Sequence, residues 1–442
     1  MLYHKNNRTL QDQFCYRWYN FSCFTFIKAY TMYKLSILVT SVTFFISCST
    51  NTPGNGTTPT ATDTTAGTPV ETGRPNADYK PAFEGQTRVA GVKTSTPYEG
   101  TAINNTLRRP WGITTLPDGR LLITEKEGTM RIATAAGQIS PAITGIPPIN
   151  PGGQGGLLGV TIDPQFSSNR MVYWVFSEST AEGNLTSVAK GSLSADERRI
   201  ENATIIYRAT PAYNNTMHYG GRILVDRPGN LIVSTGERSD RETRPQAQHL
   251  NSALGKIVRI TKDGRPAAGN PFTGRADARP EIYSYGHRNV QGLAFHPETG
   301  DLWETEMGPR GGDELNLIQP GRNYGWPIIG YGIEYSGGKV GGGITQQAGM
   351  EQPVYYWDPV LSPSGMTFYS SDKMPEWNNN VFICGLNSNH IARLVIRNNK
   401  VVGEERLLSG EGERFRDITQ GKDGALYAVT DGGRLYRIGR KG

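Results

Sequence analysis

The chain has 442 residues, 36% of them hydrophobic and 19% charged, which is enough apolar material for a substantial core and excludes a disordered protein or a small disulfide scaffold. Its 54 glycines and 27 prolines follow no collagen period and instead punctuate short runs of Val, Ile, Leu, Tyr and Trp, a turn-rich β composition. The net charge of +6 is concentrated at the start, where Lys5, Arg8, Arg17, Lys28 and Lys34 face Asp12 alone within residues 1–48; the rest holds no basic run, so nucleic acid is not an expected partner.

In chain order, Met32-Tyr-Lys34 followed by the apolar run Leu35–Ile46 reads as a signal peptide, with Met32 the expected start. The run is too short for a hydrocarbon core about 30 Å thick. It closes on Phe45-Ile46-Ser47-Cys48, which resembles a bacterial lipoprotein box. Residues 1–48 are therefore expected to be a signal region, with Cys48 lipidated and anchoring the protein to a membrane in the periplasm or cell envelope; an ordinary secretory signal is the alternative. Residues 49–78, rich in Thr, Gly and Pro, are expected to form a flexible linker, and residues 79–442 the folded body. Of four cysteines only Cys384 lies in that body, so no disulfide is expected to brace it.

Within the body, a phrase with a Gly or Asn turn and an alternating strand recurs: Pro117–Glu125, Asp226–Thr235, Glu298–Glu306 and Lys422–Thr430, with weaker versions at Asp163–Trp174 and Pro375–Ile383. The turn residues Gly119, Asn169, Gly229, Gly300, Asn379 and Gly424 are spaced by 50, 60, 71, 79 and 45 residues, a four-stranded blade plus insertions of varying size. No sustained helical period interrupts them. The expected fold is all-β, a six-bladed β-propeller, with a pair of β-sandwiches as the alternative.

Several phrases end alike, in Thr124-Glu125, Thr235-Gly236-Glu237, Thr305-Glu306 and Thr430-Asp431. In a propeller, equivalent strand ends gather on one face beside the central channel, where chemistry is expected, although for each carboxylate taken singly turn hydrogen bonding is the first expectation. His218, in a glycine-flanked loop just before the phrase at 226–235, is a candidate base, and Glu237 is placed to hold its tautomer; packing is the other role for a His beside Gly-Gly. Arg288, Asn289 and Gln291 fall in the glycine-bounded run Gly286–Gly292, a guanidinium with amides suited to a planar, oxygen-rich anion. Arg414 and Arg416 share one side of an extended strand, as binding groups or simply on a solvated face. Glu306–Glu314 is a glycine-rich loop whose carbonyls and carboxylates favour a hard cation such as calcium, although its spacing is not that of an EF-hand. A zinc cluster, a P-loop, a Gly-x-Ser-x-Gly elbow and a Rossmann fingerprint are all missing, so nucleotide-dependent chemistry and zinc hydrolysis lose support.

Taken together and in order, Arg109-Pro-Trp-Gly112, Gly153-Gln-Gly-Gly-Leu-Leu-Gly159, His218-Tyr-Gly-Gly-Arg222, Thr235-Gly-Glu-Arg238, Leu254-Gly-Lys256, Gly286-His-Arg-Asn-Val-Gln-Gly292, Glu306-Met-Gly-Pro309, Asp313-Glu-Leu-Asn316, Asn323-Tyr-Gly-Trp-Pro327 and Arg414-Phe-Arg-Asp417 resemble the soluble quinoprotein glucose dehydrogenases and aldose sugar dehydrogenases over about residues 85–440. The resemblance implies a six-bladed propeller that holds pyrroloquinoline quinone (PQQ) and a calcium ion and oxidises the anomeric hydroxyl of a sugar substrate to the lactone. It implies that His218 is the general base, that Glu237 orients it, that Arg288 and Asn289 lie near the reactive quinone oxygen, and that Gln154 lines the site. It further implies that the Gly308 and Pro309 carbonyls hold Ca2+ and that Arg414 and Arg416 pair with the cofactor's carboxylates. One position departs: where the glucose dehydrogenases carry a cofactor-binding Lys, Leu386-Asn-Ser-Asn-His390 offers Asn387. A membrane quinone or a small cytochrome is the expected electron acceptor. A propeller that only binds glycans or a partner protein, and a calcium-dependent lactonase, are the alternatives.

Overall fold

The computed structural model describes residues 67–442, and within them the chain forms six antiparallel sheets. The expected start at Met32, the signal region, the lipidated Cys48 and the first part of the linker lie outside the described residues. The second blade is a four-stranded meander of Leu157–Ile162, Met171–Thr180, Gly183–Leu193 and Ile200–Arg208. The third, fourth and fifth repeat that order from Ile223–Val225, Val290–Phe295 and Pro363–Phe368. The first blade has three strands, Pro110–Thr115, Leu121–Glu125 and Thr129–Ala133, with bridges at Ile139 and Ile143 in place of a fourth.

The sixth blade closes the ring. Phe415–Gln420, Leu426–Thr430 and Leu435–Arg440 supply three strands, and Tyr98–Asn104, from the other end of the body, pairs antiparallel with Leu435–Arg440. The first strands of the six blades touch one another in ring order around the axis, so the fold is a six-bladed propeller.

Each recurring phrase is the turn from the first to the second strand of a blade. Gly119, Gly229, Gly300 and Gly424 have φ between 75° and 91°, and Asn379 has φ 60°, the left-handed backbone for which Gly and Asn are the least strained residues. In the second blade that conformation moves one residue on, to Arg170 (φ 51°), after the short helix Phe166–Asn169.

Packing explains why both strand faces are apolar. In Leu231–Ser234, Leu231 and Val233 pack toward the second blade while Ile232 packs toward the fourth. In Leu121–Glu125, Leu122 faces the second blade while Leu121 and Ile123 face the sixth. The cores therefore lie between neighbouring blades, and period-2 alternation divides each strand between two of them. Cys384 is buried in one such core as a free thiol.

The linker boundary differs from expectation in its last part. From Pro69 onward the chain lies on the propeller: Pro69 bridges Ala90, Glu71 pairs with Arg406 at 2.6 Å, and the Asn76 backbone N–H and side-chain amide both donate to Asp358 at 2.9 Å. Arg88 fastens the segment by donating to the carbonyls of Glu71, Gly73 and Asp358. Composition alone reads these residues as a tether because their partners lie outside the segment, at Arg88 and Ala90 and, more than 200 positions away, at Asp358 and Arg406, which no local pattern encodes.

Candidate active site

Because all six first-to-second turns lie on one face, the segments entering each first strand and leaving each second strand collect on the opposite face. Arg109, Gln154, His218, Arg288, Ser362 and Arg414 come from the entering segments. Lys126, Glu237, Met307, Asn387 and Asp431 come from the leaving ones. Eleven residues scattered over more than 300 positions thus share one face, and eight of them, all but His218, Glu237 and Arg288, line one cavity there.

A cavity of about 460 Å³ opens there, with Trp111, Lys126, Gln154, Asn387, Arg414 and Arg416 among its lining residues. Asp431 is the one carboxylate among those lining it. It holds Arg416 through a bidentate pair at 2.7 and 3.0 Å and Arg414 at 3.0 Å. Burial pushes the Asp431 carboxyl up, but the two guanidiniums outweigh it and keep the group below its ordinary value. Arg414 also donates to Asn387 Oδ1. Lys126 donates to the Gly153 carbonyl, and burial together with the nearby Arg109 charge lowers its pKa. The mouth is cationic, as recognition of a polyanionic carboxylate requires.

The floor is tied across the ring. Arg222, buried, pairs with Asp417 at 2.5 Å, donates to the carbonyls of Gln291 (2.5 Å) and Arg416 (3.0 Å), and lies 4.1 Å from the Trp111 ring. Asp417 in turn accepts the Ile113 N–H at 2.9 Å. One ion pair therefore fixes the first strands of four blades and the aromatic plane between them.

His218 and Glu237 lie at the edge of this floor, buried at 4% and 0% exposure. His218 Nδ1 is 2.9 Å from Glu237 Oε1, and Glu237 Oε2 accepts the Ser239 N–H at 2.6 Å. Burial and the neighbouring Arg288 charge press the imidazole pKa down to about 4, against the pull of Glu237. The ring is therefore neutral near pH 7, with Nδ1–H donated to the carboxylate and Nε2 left without a hydrogen-bond partner among the described residues. His218 adopts φ 46°, and its N–H is held by Gln154 Oε1 at 2.9 Å, so Gln154 positions the base as well as lining the cavity.

Arg288 points elsewhere. Its Nη1 donates to the Met307 carbonyl at 2.9 Å, its guanidinium lies 5.2 Å from the Trp326 ring, and its Nε is buried without a partner among the described residues. It lines a smaller adjoining space with Glu306, Gly308, Pro309 and Glu314, which meets the main cavity at Met307. Asn289 lines the main cavity, but its Oδ1 is committed to the Gly220 N–H at 3.0 Å. In the 306–314 loop, Gly308 N–H donates to Asp313 at 2.9 Å, and among the described residues neither the Gly308 nor the Pro309 carbonyl accepts a hydrogen bond. Burial drives the Asp313 carboxyl up to about 6, despite three backbone N–H donors.

Sequence reasoning missed Lys126, which stands one position beyond the strand end at Glu125, and the role of Asp431, which it singled out only as a strand terminus. It also missed Tyr335, which lines the cavity from a glycine-rich insertion in the fourth blade while remaining 71% exposed.

A family model described as glucose/sorbosone dehydrogenase matches residues 107–437. The aldose sugar dehydrogenase YliI of Escherichia coli (strain K12) is 40% identical over 343 residues, covering 76% of this chain and 91% of the relative. Among solved structures, the apo-form of the soluble aldose sugar dehydrogenase from Escherichia coli superposes with a TM-score of 0.74 at 38% identity, covering 78% of this chain and 100% of that one. The PQQ-bound form of aldose sugar dehydrogenase from Streptomyces coelicolor gives 0.64 at 30% identity, covering 78% and 99%.

Proposed function

The chain belongs to the glucose/sorbosone dehydrogenase family, and from that membership we propose that it oxidises an aldose at the anomeric hydroxyl to the lactone, with PQQ as its bound electron acceptor and calcium beside it. The observation that carries this reading is the neutral His218 held by Glu237 at the edge of a cationic cavity, with a ring nitrogen left free. The solved PQQ-bound relative supports the choice of cofactor.

The residues present suit that group. PQQ is a planar tricarboxylate, and Arg414, Arg416 and Lys126 offer guanidinium and ammonium donors around one opening while Trp111 offers an aromatic face. Arg288, which lines the adjoining space with Gly308 and Pro309, would bring its positive charge beside the proposed calcium loop. The unbonded Gly308 and Pro309 carbonyls, with Glu306 and Glu314 nearby, are oxygen ligands of the kind calcium takes. When bound, PQQ would supply the two-electron hydride acceptor for the anomeric carbon, and calcium a Lewis acid beside it.

His218 takes the anomeric hydroxyl proton on Nε2, and Glu237 stabilises the imidazolium that forms while holding the ring in one tautomer. Gln154 and Gly236 fix the backbone that aims the ring. Asp431 keeps Arg414 and Arg416 extended toward the opening, so their orientation is set before any ligand arrives. From the signal-like start and Cys48 we further infer that the enzyme acts in the cell envelope, lipid-anchored, and passes electrons to a membrane quinone or a small cytochrome.

Reconstituting the purified apoprotein with PQQ and calcium tests the reading. Stoichiometric uptake, seen by absorption, with dye-linked oxidation of aldoses that His218→Gln removes is the expected result. Bound quinone without oxidation of any aldose or simple alcohol would refute the enzyme, and activity with calcium alone would favour a lactonase.

A further inference from the structure

Behind the Gly308–Pro309 loop, the paired strands Leu302–Glu306 and Asp313–Ile318 set Glu304 opposite Asn316 and Glu306 opposite Glu314. Alternation places all four side chains on one face of the sheet. Glu304, Glu306 and Asn316 are buried, at 0%, 3% and 1% exposure. Like charges directly opposite one another weaken a strand pair, and buried carboxylates need partners.

The protein supplies too few. Glu306 Oε2 accepts the N–H groups of Arg288 (2.5 Å) and Asn289 (3.2 Å), and the Asn316 amide donates to Glu304 Oε1 (2.7 Å) and Glu314 Oε2 (3.2 Å). Glu304 Oε2 and Asn316 Oδ1 are buried and meet no donor among the described residues. One unpartnered carboxylate oxygen and one unpartnered amide oxygen among three carboxylates make an arrangement that a cation resolves.

His287, fully buried, completes the cluster. Its Nδ1 lies 3.2 Å from Glu306 Oε1 and 3.9 Å from Glu304 Oε1, while Nε2 is 2.8 Å from Ser284 Oγ. Nε2–H donation to that hydroxyl leaves the Nδ1 lone pair facing the carboxylates, the outer partner that a metal-bound imidazole commonly has. Stacking on Tyr324, at 4.8 Å and 19°, holds the ring plane.

We propose that His287, Glu304 and Glu306 bind one divalent transition-metal cation of the Mn2+ or Zn2+ class, at a site distinct from the Gly308–Pro309 carbonyls. The three candidate ligand atoms cluster within 4.8 Å of one another, and His287 Nδ1 lies 3.2 and 3.9 Å from the two carboxylate oxygens, separations that ligands at about 2.0–2.2 Å from one ion can have. An imidazole nitrogen among carboxylates favours these metals over calcium, which takes oxygen shells. The unpartnered oxygens of Glu304 and Asn316 lie on the same sheet face as these ligands. The ion is structural: it ties the strand that ends at Glu306 to the segment carrying Arg288 and Asn289, two residues before the calcium loop begins.

The test needs neither quinone nor substrate, so its failure is separable from failure of the dehydrogenase reading. Full-length protein stripped with a chelator is titrated with Mn2+ or Zn2+ in the presence of millimolar Ca2+, then dialysed and assayed for metal by mass spectrometry and for unfolding temperature. One equivalent retained against calcium, with a raised unfolding temperature, is expected. Glu304→Gln and His287→Gln, each folded by circular dichroism, should lower retention at least tenfold. No retained metal in the wild type, or retention unchanged in both variants, would overturn the site; so would a metal-free Glu304→Gln protein more stable than the stripped wild type if that wild type fails to respond to metal.

Discussion

Gly236 faces the carbonyl oxygen of His218 so closely that a β-carbon at position 236 would overlap it and would also come within 2.8 Å of Asn289 Oδ1. Glycine here is a requirement of the base rather than of the turn, because His218 itself carries the positive φ of 46°. Gly236→Ala should therefore push His218 out of line. Misplacement by about 1 Å costs on the order of 100-fold in rate. The expected outcome is a fall of that size in kcat, with PQQ uptake within a few-fold of wild type, read from reconstituted protein by steady-state kinetics and absorption.

Burial and Arg288 bring the His218 pKa to about 4, so the base stays unprotonated across the range in which an ordinary His, at about 6.5, would gain its proton. The acid limb of kcat/KM should accordingly fall near pH 4. Glu237→Gln removes the carboxylate that raises this pKa, so the limb should move lower still. It also loses the tautomer clamp, and a rate loss of about 10²–10⁴ is expected. A pH–rate profile of both proteins, with cofactor saturation checked at each pH, decides the point.

Asn387 occupies the place where the resemblance implies a cofactor-binding Lys, and its Oδ1 now accepts a hydrogen bond from Arg414. Asn387→Lys gives up that bond but adds a third positive charge beside Arg414 and Arg416 at an exposed rim. Opposite charges in such a setting attract a carboxylate-rich ligand, and salt screens them within about 8–10 Å. PQQ affinity should rise several-fold at low ionic strength and lose the gain in high salt, which equilibrium titration at two salt concentrations would show.

Local rules made the blades legible and long-range ones hid the rest. Each turn phrase is self-contained, since a left-handed Gly or Asn followed by an alternating strand needs no distant partner to be recognised. Tyr98–Asn104 gave no such signal: its exposure pattern does not alternate cleanly, and it becomes a strand only because Leu435–Arg440 offers an edge more than 300 residues away. The site shows the same division. His218 and Glu237 were readable as a pair across one short strand. That Arg288 would turn toward Met307 and Trp326 rather than toward Arg416 depends on the fourth blade's insertion, which no residue near 288 specifies.

His390 tests how burial beside a positive charge loads a titratable group. Its Nδ1 donates to the Ser388 carbonyl at 2.9 Å, its Nε2 is buried without a partner, and burial with the nearby Arg406 charge lowers its pKa to about 4. The unfolded chain, where His titrates at about 6.5, therefore binds this proton more readily than the folded one. Stability linked to His390 is complete above pH 6.5 and is lost as pH falls toward 4. His390→Leu cannot take up that proton and fills a similar volume, giving up only the bond to Ser388. The unfolding temperature of the wild type relative to the variant should hence be highest at pH 7 and drop steadily between pH 6.5 and 4. A difference that stays flat across that window would mean that the imidazole is already solvated in the folded protein.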